Sequence, residues 1–547
     1  MSRFWKSVIP FILTLLPVAV YLIYAFTNSS PLFFADDFHL LKTVVWMHDT
    51  DSLSEKFKLL IQQHNEHRIV VPRLLTYLDY KLEGHINWPT LIVVGNLLWI
   101  AVLWFFWKAF KSLNVPFWMF IPIPWIFLQP QYSDNVTWSI SILQQSVIVF
   151  WFGLFCFLCA KRLYKQALIV AVMATFTHGN GIFSFLIGIT FLSLDRNWKG
   201  ALKWLGVLIL VGLIYFWGFE KGQNADFQKS LSDPGRLIAA FFAFFGALTK
   251  VQLTNALYSV LCGAIFVLVL GVFLIPKLLA YFSEKRELTF FEKLLLGNVL
   301  FVGITAALIC VSRSWGGVEN VMAPRYQHYA PFVACWVYLV LILVTAKSLR
   351  NIVASAFILA AVLFNGLCYF VYNEEIVYRK NGLVADAENW AANHVFLNYA
   401  SSFNQNIKEP YTDAVNEGIC AKVPSVLHIE GKGKLADGNA IVTVEKKILT
   451  EQDASGSYQR DYFKIANTSL RGASFLYLQN SLDQKGYWLA TRFANVGIRR
   501  LITFRELYKP GFTAEFLTEN VPAGDYRIGI LNDNQFGWTA SVVTIQK

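Results

Sequence analysis

Charge is scarce in this 547-residue chain: 15% of residues are Asp, Glu, Lys or Arg, while 55% are hydrophobic and 16% aromatic. With so little charge, the class is decided by how the apolar residues are arranged, and they are blocked rather than spread. Cysteine supplies no framework. Six of the seven, Cys156, Cys159, Cys262, Cys310, Cys335 and Cys368, fall inside apolar segments, where a thiol acts as a small packing residue. Cys420 stands alone in the polar C-terminal part, so no internal disulfide is available there, although an intermolecular bridge stays open. A signal-peptide cleavage site is also lacking. The first apolar segment follows Arg3 and Lys6 but is long, contains Pro10 and Pro17, and has no small-x-small site before Asp36, so it reads as an uncleaved first span.

Long apolar runs are what the chain has instead. Residues 8–26, 90–110 and 352–372 each approach the roughly 20 helical residues that cross a hydrocarbon core, lengths that a soluble core does not need. Basic residues gather at the ends of such runs: Lys108 and Lys111; Lys161, Arg162 and Lys165; Arg196, Lys199 and Lys203; Lys347 and Arg350. That is the positive-inside pattern, so the net charge of +11 reports topology rather than a nucleic-acid partner.

The pattern predicts a polytopic α-helical membrane region over residues 1–372, with about eleven spans and a cytoplasmic N-terminus. A long first outer loop, 27–89, carries three amphipathic stretches, 38–47, 53–61 and 73–82, suited to lying on the membrane face. A third span is expected at 115–128. Two short segments, 167–177 and 182–194, are split by His178-Gly-Asn-Gly181. A polar stretch, 219–236, precedes the segment 237–248, which is short for a crossing and reads as a re-entrant helix; only then do all basic loops up to Arg350 stay cytoplasmic. From 373 to 547 the long apolar runs stop. A helical stretch is expected at 381–406, and short alternating segments at 440–444, 475–478, 501–504 and 541–545 read as strands. The second part is therefore an extracytoplasmic α+β tail ending in a β-rich, sandwich-like module.

Three polar clusters could carry chemistry. Asp36-Asp37-Phe38-His39 follows the first span. Adjacent carboxylates there could raise one pKa and serve as base or metal ligand, or one of them could cap the helix that starts beside them. Farther along the loop stands Gln62-Gln-His-Asn-Glu-His-Arg68, then Arg73. If helical, it places His64 and Arg68, and His64 and His67, on shared faces. A divalent metal could be held by Asp36 or Asp37 with Glu66 or His67, though the spacing fits no closed zinc pattern. Arg68 and Arg73 suit phosphate recognition, with headgroup snorkelling as the plainer reading. The third cluster joins Ser312-Arg-Ser-Trp315 to Pro324-Arg-Tyr-Gln-His-Tyr-Ala-Pro331, where Arg325 and His328 form an anion-binding candidate. His178–Gly181 and the loop from Asp134 to Trp138 read as capping and packing elements.

The Asp-Asp pair opening a long first outer loop, the surface helices, the split short spans, the Arg325-Tyr326 element and the outer tail together resemble the GT-C superfamily of membrane glycosyltransferases. The re-entrant segment and tail are similar in layout to serotype-converting O-antigen glucosyltransferases. This resemblance implies a polyprenyl-phosphate sugar as donor, a glycan or lipid-linked glycan as acceptor, and residence in the inner (cytoplasmic) membrane with the tail in the periplasm. It also implies Asp36 or Asp37 as catalytic base and Arg325 as a donor-phosphate contact. On this reading Arg68, Arg73 and His328 join the phosphate site, and His39, His64, Glu66 and His67 contact substrate. A monophosphate donor requires no metal, while related diphosphate donors often recruit one. A transporter or flippase for lipid-linked sugars is the alternative, opposed by the lack of an internal repeat and by polar residues that sit in outer loops.

Overall fold

The computed structural model describes residues 3–546 except 221, 223–224, 252–254, 285, 454–455 and 473. Three residues of the polar stretch expected at 219–236 thus lie outside the described ones. The described chain is mainly helical with a β-rich C-terminal region, and it divides into two compact units. One comprises Met1–Thr27, Thr50–Leu75 and Thr90–Tyr369; the other comprises Asn28–Asp49, Thr76–Pro89 and Phe370–Lys547.

Among the described residues, eight helices are long and apolar enough to cross a membrane: Val8–Thr27, Trp88–Lys111, Ser139–Ala160, Trp198–Phe216, Ala256–Ser283, Phe290–Gly316, Pro324–Val344 and the apolar part of Lys347–Asn393. Three shorter apolar helices accompany them: Tyr164–Thr175, Gly179–Leu194 and Pro234–Phe245. The third span expected at 115–128 is not one helix. It is a 3-10 turn, Phe117–Phe120, followed by a six-residue helix, Pro122–Phe127. Prolines at 116, 122, 124 and 130 interrupt the donor ladder there, which explains the break.

Lipid offers no hydrophobic drive between apolar helices, so close van der Waals packing holds such a bundle together. Phe152 stacks on Phe301 at 3.8 Å, and Trp99 on Phe127 at 4.1 Å. Pro234–Phe245 meets Ala256–Glu284 so closely at Gly246 and Gly263 that a Cβ on Gly263 would overlap the Phe242 carbonyl. A five-residue π-turn, Ile142–Ser146, interrupts Ser139–Ala160 and turns Gln145 toward His178.

The second unit contains the tail. Strands β3 (Gly433–Lys434), β6 (Ser474–Asn480), β7 (Gly486–Ala490), β9 (Gly524–Asn532) and β10 (Gln535–Ile545) form one sheet in the order β3-β10-β9-β6-β7; β1 and β2 are the short strands Gln63–His64 and His67–Arg68 of the other unit. Strands β4 (Thr443–Asp453), β5 (Gly456–Asn467) and β8 (Phe512–Leu517) form a second sheet. Alternate residues of both, including Ile465, Leu476, Phe516, Ile528 and Ile530, enclose one core, as in a sandwich. Two expectations change here. The helix beginning at Lys347 runs unbroken to Asn393, and a separate helix spans Ser401–Asn416, so 381–406 is not one element. The stretch 501–504 belongs to a helix, Ile498–Phe504, in which Leu501 and Ile502 follow Ile498 at the three- and four-residue spacings of a helix rather than in alternation.

Gly263→Ala should destabilise the chain by about 1–3 kcal/mol, the usual range for overpacking. Gly212→Ala, with nothing within 4 Å of its added Cβ in the interior of Trp198–Phe216, is the control that should not lower the midpoint in thermal unfolding of the detergent-purified protein.

Candidate functional site

The segment expected to be helical around His64 is instead a hairpin. Gln63 pairs with Arg68 and His64 with His67, with Asn65 at the turn at φ 47°, a left-handed conformation that asparagine tolerates well. Arg68 fixes this shape. Its Nε donates to the Tyr215 carbonyl at 2.5 Å, one terminal nitrogen to the Ile61 carbonyl at 2.5 Å, and the other to the Trp217 carbonyl. Arg73 donates to the carbonyls of Leu60, at 3.2 Å, and Gln62. These acceptors lie at the C-terminal ends of two helices, Leu53–Ile61 and Trp198–Phe216, where carbonyls lack intrahelical partners and the helix dipole is negative. Gln63 adds a third clasp, donating to the Glu220 carbonyl at 2.6 Å and accepting from its N–H at 3.0 Å. The two arginines expected to grip phosphate thus tie helix ends together, and the residues between them are presented by a rigid turn.

Glu66 and His67 line a cavity of about 260 Å3 with His178, Asn180, Tyr215, Thr305, Arg313 and Tyr326. Phe183, Phe216, Phe227, Leu308 and Ile309 add apolar surface to its lining. The His67 ring lies 4.1 Å from that of His178, an approach that needs a glycine next door: a Cβ on Gly179 would come within 2.7 Å of His67 Nδ1 and 2.9 Å of the Tyr215 hydroxyl. His178 Nδ1–H donates to Asn180 Oδ1 at 2.7 Å, and Nε2 accepts from the Gln145 amide at 3.1 Å, which defines a neutral tautomer. Burial holds His178 down at about 4; burial, reinforced by neighbouring His178, holds His67 well below the ordinary imidazole range. The Arg313 guanidinium stands 3.6 Å from Glu66 Oε2. Glu66 Oε1 and His67 Nδ1 are sealed from solvent without a hydrogen-bond partner, and both belong to the cavity lining.

The other sequence candidates lie elsewhere in the fold. His328 is fully buried, with Nδ1 2.9 Å from both the Arg325 carbonyl and Asn135 Nδ2, and its ring against Trp99, so it is a core histidine rather than an anion contact. Arg325 packs its guanidinium 5.1 Å from the ring of Tyr326, a cavity residue. His64 is buried beside Asn65. Asp36, Asp37 and His39 belong to the second unit. There Asp37 is buried and accepts the Phe34 N–H at 3.1 Å, Asp36 precedes the helix Asp37–His48 without a side-chain cap, and His39 is exposed. Among the described residues, no three His, Cys, Asp or Glu side chains are grouped to hold a metal ion. Sequence reasoning missed Arg313 and gave His178 only a capping part. The available signals were the polar cluster after a long span and the two glycines that follow His178.

Compared with protein-family models, curated proteins and solved structures, the chain matches none.

The depressed His178 value makes stability pH-dependent. An unfolded histidine takes up a proton near 6.5 but the folded one only near 4, so the stabilising difference is complete above 6.5 and is lost as pH falls toward 4. For His178 alone that difference is about 3 kcal/mol. His178→Gln, which keeps an amide in place of the imidazole, should show a smaller fall in thermal midpoint between pH 7 and pH 4.5 than the parent; equal falls would contradict the assignment.

Proposed function

We propose that the chain is a membrane glycosyltransferase of the hexosyl-transferring type, moving a sugar with inversion from a polyprenyl-phosphate donor to an extracytoplasmic glycan or lipid-linked acceptor. The observation that carries this reading is the make-up of the cavity, whose lining combines an ion pair, two imidazoles and hydroxyls with several apolar side chains. Such a pocket suits an amphiphile with an anionic, polyhydroxylated headgroup, since each part of the ligand finds side chains of its own kind. In this reading the eight long helices, the two short ones flanking His178 and the broken segment around Pro122 make about eleven passages in a GT-C-like layout. Pro234–Phe245 is re-entrant. The hairpin at Glu66 and the tail face the periplasmic side of the inner membrane.

Glu66 is the cavity's own carboxylate and takes the base role. The acceptor hydroxyl donates to Oε1; its oxygen attacks the anomeric carbon, its proton passes to Glu66, and the bond from that carbon to phosphate breaks with the electron pair going to the phosphate oxygen. Once Glu66 is protonated, the charge of Arg313 is no longer opposed and faces the departing phosphate. His67 holds a sugar hydroxyl, and Arg325 contacts the donor phosphate from beside Tyr326. Asp36 and Asp37 are the competing bases that the resemblance implies. A monophosphate donor needs no metal in this scheme.

The test is sugar transfer from polyprenyl-phosphate hexose in purified membranes. Glu66→Gln should lower kcat by about 10²–10⁴-fold, the range for loss of a general base, with little change in donor KM. If Glu66→Gln is silent but Asp36→Asn or Asp37→Asn is not, the base is misassigned; if all three are silent, the transferase reading fails. Arg325→Ala should weaken donor binding more than acceptor binding, and equal effects would remove Arg325 from the phosphate site.

A further inference from the structure

Helix Lys347–Asn393 carries no charged residue from 352 to 372 and then turns polar at Asn373-Glu374-Glu375. Those 21 residues rise about 31 Å, the thickness of a hydrocarbon core, so the edge of that core falls near Tyr372. The rest of the helix serves as a ruler for the tail. Asn393 donates to the Gly486 carbonyl at 2.7 Å, and Asn389 donates to the Trp488 carbonyl at 2.8 Å. Arg492 then pairs with Glu374 at 3.4 Å and Glu375 at 2.8 Å, and Asn495 donates to the carbonyls of Phe370 at 3.2 Å and Val371 at 3.1 Å. From Gly486 to Asn495 the chain therefore descends along the helix toward its apolar stretch.

Beyond Asn495 the descent ends in a closed tip. Asn495 bridges Tyr508, Val496 N–H donates to the Leu507 carbonyl at 3.1 Å, and Tyr508 returns to the helix by accepting from Asn373 at 2.8 Å. The helix Ile498–Phe504 is the end of this tip. Its composition is that of an interfacial element. Ile502 is 76% exposed and Leu507 52% exposed, the aromatic rings of Phe493 and Tyr508 pack 5.9 Å apart at its root, and the segment 497–509 has Arg499, Arg500, Arg505 and Lys509 in its sequence against Glu506, which pairs with Arg500 at 3.0 Å. Exposed aliphatics among arginines, with aromatics at the level where a spanning helix leaves the core, fit the boundary between headgroups and acyl chains.

We propose that residues 497–507 of the tail form a membrane-interface anchor, in which Ile502 and Leu507 insert among acyl chains and the surrounding arginines meet anionic phospholipid headgroups. This assignment rests on the chain spanning a membrane and is independent of the transferase reading. It gives the sandwich a second attachment to the bilayer besides the continuous helix.

The test uses the full chain with Cys262→Ala, since Cys262 is the one described cysteine that is not buried, reconstituted in phosphatidylglycerol-containing vesicles. Spin labels are placed by Ile502→Cys, Leu363→Cys or Leu482→Cys. Leu363 is 64% exposed within the apolar stretch; Leu482 is 86% exposed in the turn at the far end of β7. Relative accessibility to oxygen over a water-soluble nickel complex should be at least about fivefold higher at 502 than at 482 and approach that at 363, as expected for an acyl-chain environment. A value at 502 equal to that at 482, with 363 still lipid-like, overturns the anchor. A water-like value at 363 as well would instead remove the membrane-spanning premise. In vesicles of phosphatidylcholine alone, the 502 signal should shift toward water; no shift would overturn the part assigned to anionic headgroups.

Discussion

Arg68 donating to the carbonyl ends of two helices is the interaction on which the candidate site depends. In an apolar surrounding, an unsatisfied carbonyl is costly, and a guanidinium with five donors in a fixed fork can close several at once. By reaching Ile61, Tyr215 and Trp217, Arg68 fixes the distance between the surface helix Leu53–Ile61 and the end of Trp198–Phe216. The hairpin between those anchors then has one conformation, and Glu66 and His67 project from it into the cavity. A charged residue that looks like a ligand hand is in this way a fastener, and the residues it fastens line the cavity.

The electrostatics of the cavity follow from the same enclosure. Two imidazoles whose rings lie 4.1 Å apart cannot both be charged in a poorly solvated wall, and burial holds His178 neutral against the opposing pull of its hydrogen bond to Asn180. Glu66 and Arg313 are each about one-fifth exposed and stand 3.6 Å apart as an ion pair. A proton delivered to Glu66 would undo that balance and leave a cation in place, which is how a single pair can serve both as base and as anion partner.

Much of the fold was legible because its signals are local. Uncharged runs of bilayer length, the turn His178–Gly181 between two short helices, and the switch to alternating strands after 440 need no knowledge of distant partners. The bounds of the helices Asp37–His48, Leu53–Ile61 and Val70–Glu83 fall close to the stretches expected at 38–47, 53–61 and 73–82, although Asp37–His48 is buried along most of its length rather than lying on a surface. What failed depended on distant contacts or on competing local rules. Residues 63–68 have no apolar period, and their hairpin is decided by carbonyls far along the chain. The segment 115–128 has the hydropathy of a span but too many prolines for one. Arg313 stood in the third polar cluster with no role of its own, because its partner Glu66 is far away in sequence. The helix beginning at Lys347 outran its apolar stretch because Asn389 and Glu388, polar in sequence, dock it onto the tail.

The most direct test of the central claim is a ligand-bound structure of the full chain in a lipid bilayer with a polyprenyl-phosphate hexose. The account predicts the phosphate beside Arg313, sugar hydroxyls at Glu66 Oε1 and His67 Nδ1, and the first isoprenoid units along Phe183, Phe216 and Ile309. A lipid phosphate held elsewhere in the chain, with this cavity empty, would contradict it.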